Sequence, residues 1–322
     1  INWQQFSIGK DEITRFIQQH AGSAVLNRVV GQDPSVILGQ LLSNGKVFLI
    51  NPSGIAIGKG AVIDVAGFAA SSLNISDADF VSGRMKFVGV GSEGKVTNAG
   101  SIKTLEGGHV YLIAPNVENQ KDGIITSPKG EVVIAAGKTV ELVNARTPDL
   151  RVEFTAPQNE AVNAGQVVAA GGSIGIYGTL VKNSGLVSAS RAGVGDGGKI
   201  VLRGVKDVVL DTSSRIEASG AKGGKIEIKA ETGTLLAQGR IEARGEEAKG
   251  GDIQLLGNRL AFSDVEVDAS GRAGGGTVLI GGDFQGANPA IQNAQRIVLT
   301  GTAIVKADAV QSGNGGKVIV WA

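Results

Sequence analysis

Gly223-Gly224-Lys225-Ile226-Glu227-Ile228 returns 27 residues later as Gly250-Gly251-Asp252-Ile253-Gln254-Leu255. The pattern, a glycine pair followed by alternating aliphatic positions, occurs seven times, with its first glycine at Gly107, Gly171, Gly197, Gly223, Gly250, Gly275 and Gly315. Between Gly171 and Gly275 the steps are 26, 26, 27 and 25 residues; the last step, of 40, leaves an insertion around residues 284–295. A second element recurs in the same frame as Arg215-Ile216-Glu217-Ala218-Ser219-Gly220, Arg240-Ile241-Glu242-Ala243-Arg244-Gly245 and Glu266-Val267-Asp268-Ala269-Ser270-Gly271.

The alternating pairs are Val110/Leu112, Ile174/Ile176, Ile200/Leu202, Ile226/Ile228, Ile253/Leu255, Val278/Ile280 and Val318/Val320, all aliphatic, whereas Lys225, Glu227, Asp252 and Gln254 between them are polar. Period-two burial means strands with one face inside. A repeat near 26 residues is too short for a strand–helix–strand unit of about 30 or more residues, and fits one coil of three short strands. The glycines then mark corners, where the chain needs positive φ or the coils approach closely. The expected fold is all-β: a right-handed parallel β-helix, a single-stranded solenoid with about one coil per 20–27 residues, each coil burying its aliphatic row against the next. A β-propeller fits less well, because its blades run to ~40–50 residues and carry aromatic signatures.

Composition agrees. Glycine supplies 50 of 322 residues and aromatics only 4%, which suits a narrow core of repeated small layers. The 31 basic and 30 acidic residues are interspersed, leaving no electrostatic footprint for nucleic acid or an anionic membrane. Cysteine is absent, which excludes disulfides, thiolate metal sites and cysteine nucleophiles, and is as compatible with the cytosol as with a chain that crosses an oxidising periplasm unfolded. No apolar run is long enough for a membrane helix. The chain opens at Ile1-Asn2-Trp3, without initiator methionine or signal peptide, and reads as a mature fragment.

Upstream of Gly107, motifs replace periodicity. Val47-Phe48-Leu49-Ile50-Asn51-Pro52-Ser53-Gly54-Ile55 reads as strand, tight turn, strand. Ser76-Asp77-Ala78-Asp79 before Phe80, closed by Gly83, reads as one capped helical turn. With Ala24-Val25-Leu26-Asn27-Arg28-Val29 and Leu73-Asn74-Ile75, these segments resemble the N-terminal secretion domain of two-partner-secretion exoproteins, the family of filamentous haemagglutinin and the high-molecular-weight adhesins. The segment 51–55 is similar to the family's Asn-Pro-Asn-Gly-Ile motif, with Ser53 in place of the second Asn. Segments 107–137, 274–286 and 315–322 also look like family sequence, so the resemblance covers essentially the whole chain.

The resemblance implies an adhesin or exoprotein fragment. Residues 1–160 would form the secretion domain, its N-terminal cap truncated, and 161–322 a continuing β-helical shaft. It implies export through an outer-membrane transporter of the Omp85-like barrel class with periplasmic recognition domains, passage through the periplasm unfolded, and folding outside without ATP, seeded by the nascent coil edge. The mature protein would be extracellular and surface-associated, with a ligand such as a carbohydrate on a host or bacterial surface. Asn27, Arg28, Asn51, Pro52, Ser53, Gly54 and Ile55 are the candidate secretion and folding residues. The family implies strand over residues 11–21, whereas Ile13, Phe16, Ile17 and His20 are spaced as on an amphipathic helix; strand is the reading adopted.

No catalytic, cofactor or metal site is expected. Gly193-x-Gly195-x-x-Gly198 and Gly89-x-Gly91-x-x-Gly94 match a dinucleotide fingerprint literally, but that fingerprint needs a following helix, and a strand pattern follows Gly198. In the near phosphate loop ending at Lys199, Ile200 replaces the Ser or Thr that would reach magnesium. His20 and His109 show no partners for a metal site or a triad. The rival function is a polysaccharide-active β-helix enzyme, which needs acids of adjacent coils within ~5–10 Å on one face. Asp207, Asp211, Glu217 and Glu242 are interleaved with Arg or Lys, as on a solvated face, and no such cluster is evident. Asn74-Ile75-Ser76 is a formal glycosylation sequon inside a structural segment.

Overall fold

The computed structural model describes all residues except 92, 144–150, 156–158 and 194, with the strand Arg151–Thr155 described by its backbone alone. Two compact units divide it: Ile1–Val167 with Tyr177–Thr179, and Val168–Ile176 with Leu180–Ala322.

The second unit shows how the repeat folds. Lys225–Glu242 and Asp252–Asp268 each make one coil. They pair in parallel with Ile226 opposite Ile253, Ile228 opposite Leu255, Leu235 opposite Leu260 and Ile241 opposite Val267. The register shifts between Ala230 and Thr234 and between Ala237 and Gly239, which are the two corners that divide the coil into three sides. Parallel neighbours about 26 residues apart in sequence are what define a parallel β-helix. The repeat glycines serve chiefly close approach: a Cβ on Gly250 would lie 1.8 Å from the Ala269 carbonyl oxygen of the next coil.

Twelve of the fourteen alternating aliphatics are buried. Val318 and Val320 keep the inward phase, pairing with Val278 and Ile280, yet are 45% and 46% exposed. Their strand, Lys317–Val320, pairs along one edge only among the described residues, which leaves these side chains open along the other. The 284–295 insertion leaves the coil as a short 3-10 turn, Phe284–Gly286, and the chain rejoins the ladder at Arg296–Leu299.

In the first unit the coils are shorter. Ala24–Val29, Lys46–Ile50, Gly67–Ser71, His109–Ala114 and Glu131–Ala136 stack in order, placing Val25, Val47, Phe68, Val110 and Val132 in one inward row. Here the outward residues Phe48, Ile50, Tyr111, Ile113, Val133 and Ala135 are buried as well. An excursion accounts for this. Asn74–Ile75, Met85–Val88, Thr139–Val143 and Arg151–Thr155 form an antiparallel sheet, and the helix Asp77–Ser82 brings Phe80 edge-on to Phe48 at 5.1 Å. Strands buried on both faces read as unbroken apolar runs, which is why regular alternation is lost before Gly107. The helix has the expected caps: Ser76 accepts from the Asp79 amide, and Gly83 takes φ 75°.

Residues 13–16 form the strand Ile13–Phe16, paired with Gln40–Ser43, and the helical alternative does not hold. Phe16 stacks on Phe6 at 6.5 Å, while Ile13 and Ile17, which a helix would have turned to one apolar face, are 57% and 87% exposed. Strands also follow both glycine fingerprints, at Val96–Asn98 and Lys199–Leu210.

Candidate functional site

The turn 51–55 is tied to the coils on either side of it. Asn51 is fully buried, and its Nδ2 donates to the Asp33 carbonyl at 3.0 Å and to Ser35 Oγ at 2.9 Å in the preceding coil. Its Oδ1 accepts from the Ser53 amide at 2.9 Å, closing the turn. In the following coil Gly94 N donates to the Pro52 carbonyl, and the Lys95 carbonyl accepts from Ile55 N, at 2.8 and 3.1 Å. Gly54, at φ 107°, adopts a backbone that side chains disfavour, and a Cβ there would stand 2.9 Å from the Lys95 oxygen. Ser53 enters this network through its backbone N–H, so Ser in place of Asn leaves that bond intact.

Asn27 and Arg28 lie one coil earlier, with Arg28 opposite Ile50. Asn27 points inward: its Oδ1 accepts from Trp3 Nε1 at 2.9 Å, and its Nδ2 donates to the Phe48 carbonyl at 3.3 Å. Arg28 points outward, donating to Asn74 Oδ1 at 3.1 Å and to the Ile75 carbonyl at 2.6 Å, and pairing with Asp77 at 2.7 Å. It therefore fastens the excursion to the β-helix. The sequon residues Asn74 and Ser76 are engaged in that contact and in the helix cap. The structure brings the two halves of the candidate set onto adjacent coils, but among the described residues Asn27, Arg28 and Asn51 share no bonding partner.

Two buried polar features escaped the sequence reading. Asn98, Asn119 and Asn163 form an internal ladder on successive coils, each Nδ2 donating to the next Oδ1 at 2.8 Å. Its signal was present, since Asn98-Ala99-Gly100, Asn163-Ala164-Gly165 and Asn183-Ser184-Gly185 repeat Asn-Ala/Ser-Gly before a strand. The second lies on the outward face of the first unit, where His109 stacks on Tyr111 at 4.5 Å and Tyr111 donates to Glu131 Oε2 at 2.6 Å. His109 Nε2 is sealed from solvent without a hydrogen-bond partner among the described residues. Burial, helped by Lys46, pushes the His109 pKa down to about 3. Burial pushes Glu131 up to about 7 against the opposing hydrogen bond from Tyr111.

The acids need one correction. Register stacks Glu217, Glu242 and Asp268 on three successive coils, a row that the sequence reading did not find although they occupy one position of its second repeat. Burial raises the Glu242 pKa, with Glu217 and Asp268 adding to the shift and Arg240 and Arg244 opposing it. Basic side chains line the row: Arg240 reaches Glu242 at 3.5 Å and Arg244 reaches Asp268 at 3.6 Å. Asp207 and Asp211 serve the backbone, accepting from the Thr234 and Ser213 amides. Among the described residues no group of three or more His, Asp or Glu is placed to hold a metal ion, and no helix is long and apolar enough to cross a membrane.

Residues 1–167 match the family described as the TPS secretion domain. The chain belongs to that family. Over 145 residues, 42% of its length, it is 34% identical to a heme/hemopexin-binding protein of Haemophilus influenzae; a second protein of that name is 41% identical over 75 residues, 23% of this chain. These matches cover 16% and 8% of the relatives' own lengths. The crystal structure of the HMW1 secretion domain from Haemophilus influenzae is similar across 98% of this chain and 86% of that one, with a TM-score of 0.74 and 31% identity. The fold of a TPS secretion domain therefore extends past residue 167 into the glycine-pair repeats. Membership makes this a secreted exoprotein domain whose role is to direct secretion.

Proposed function

We propose that residues 1–160 are the part read by a dedicated outer-membrane transporter, a barrel of the Omp85-like class with periplasmic recognition domains, and that 161–322 continue as a β-helical shaft. The chain crosses the periplasm unfolded and folds outside, each finished coil offering its edge to the next. The shaft carries a ligand function on a host or bacterial surface and no catalysis. The basic residues along the row Glu217, Glu242 and Asp268 support that last point, and release of reducing ends from acidic polysaccharides by the purified protein would overturn it.

The observation that carries the reading is the Asn51 turn, where one buried side chain joins its own coil to the preceding one and the backbone beside it joins the following one. A turn that fails to close stalls the stacking of later coils, because each coil pairs only with its neighbours. Asn51→Leu, co-expressed with the partner transporter, is expected to lower the amount of full-length protein in the medium while the molecules that emerge keep their ligand binding. Normal yield with lost binding would assign the turn to a ligand site instead.

A further inference from the structure

The second unit carries an open groove of about 510 Å³ lined by Thr212–Arg215, Gly239, Arg240, Asp264–Glu266, Thr302 and Ile304. Register explains its shape: Arg215, Arg240, Glu266 and Ile304 occupy one outward row on four successive coils. The groove therefore runs about 14 Å along the stacking direction, at ~4.8 Å per coil. Its floor is Gly239, where a Cβ would run into the Ser214 carbonyl oxygen at 2.4 Å.

The walls are fixed before any ligand arrives. Ser213 Oγ donates to the Ser184 carbonyl, Ser214 Oγ accepts from Asn183, and Thr302 Oγ1 accepts from the Asp264 amide. Asp264 sits at φ 49°, an uncommon backbone for a residue other than glycine. Glu266 is held by Lys306 at 2.7 Å and Arg240 at 3.0 Å, so Arg240 is oriented with part of its guanidinium still facing the groove. Arg215, one coil earlier, donates its backbone N–H to the Gly185 carbonyl, but its guanidinium has no hydrogen bond or ion pair among the described residues. It is the uncompensated cation of the row, and guanidinium forks fit carboxylate and sulfate oxygens.

We propose that this groove binds an acidic glycan, with Arg215 and Arg240 taking the carboxylate or sulfate and Thr212 and Asp264 bonding to neighbouring sugar hydroxyls. Its polar lining disfavours an apolar ligand. An added peptide strand is disfavoured because the backbone amides of these coils are already used in coil-to-coil pairing. The site is independent of the export reading, since it is assayed on purified folded chain.

The test measures binding of the 322-residue chain to polygalacturonate, dextran sulfate, neutral dextran and poly-glutamate, using the parent, Arg215→Gln, Thr212→Val and Lys225→Gln. Lys225 lies on another side of the coil, and its substitution removes the same charge. The expected result is binding to polygalacturonate, dextran sulfate or both, weakened about tenfold or more in Arg215→Gln by loss of a charge-assisted pair, weakened less in Thr212→Val, and unchanged in Lys225→Gln. Which of the two polymers binds decides between carboxylated and sulfated glycans. Failure of the parent to bind either, equal losses in Arg215→Gln and Lys225→Gln, equal binding of neutral dextran, or poly-glutamate binding as tightly as the acidic glycans would each overturn the proposal.

Discussion

Burial of His109 beside Lys46, with its Nε2 sealed and without a hydrogen-bond partner among the described residues, keeps the imidazole neutral. Its folded pKa of about 3 lies below the ordinary 6.5, so the folded state binds fewer protons than the unfolded chain, and the stability this confers is present above 6.5 and lost as pH falls toward 3. Glu131 works in the opposite sense: its folded pKa of about 7 exceeds the ordinary 4.5, so its contribution is present below 4.5 and lost as pH rises through 7. Melting followed from pH 8 to pH 4 should separate the two. His109→Gln should flatten the acid-side decline, and Glu131→Gln should become more stable relative to the parent as pH rises. A parent whose acid decline is unchanged by His109→Gln would contradict the burial of a neutral ring. At this scale the sequence was partly legible. The Asn51–Gly54 turn showed itself through residues that favour turns, whereas the partners of Asn27, Arg28 and His109 lie on other coils or in the excursion, and only folding brings them together.

Among elements, the inward rows carry the fold. Ile226 and Leu255 are buried in the core, and Lys225 beside them is exposed. Ile226→Asp or Leu255→Asp should cost several kcal/mol by burying an unpaired charge, and Lys225→Ser should change little; equal tolerance of both, measured by denaturant unfolding, would refute the inward assignment. These rows were readable because one buried face and a constant repeat length put the same chemistry at the same position of every coil. The antiparallel excursion was not readable as a sheet. Its paired strands Met85–Val88 and Thr139–Val143 are far apart in the chain, and no short-range pattern announces such a pairing. The acid row was missed for a related reason: residues at equal repeat positions stack in space even when each looks isolated among basic neighbours in sequence.

For the whole molecule, the account rests on export through a partner. On the proposed reading, a TPS secretion domain built of coils that pair only with their neighbours folds progressively as it emerges, and it needs the transporter to reach the outside. The most direct measurement places the chain behind a cleavable signal peptide in a Gram-negative host, with and without its partner barrel transporter, and quantifies full-length protein in the medium and at the cell surface. The account predicts strong accumulation outside only when the transporter is present, and none when residues 1–160 are deleted from the exported chain. Equal amounts outside without the transporter, or undiminished export of the deletion, would contradict it.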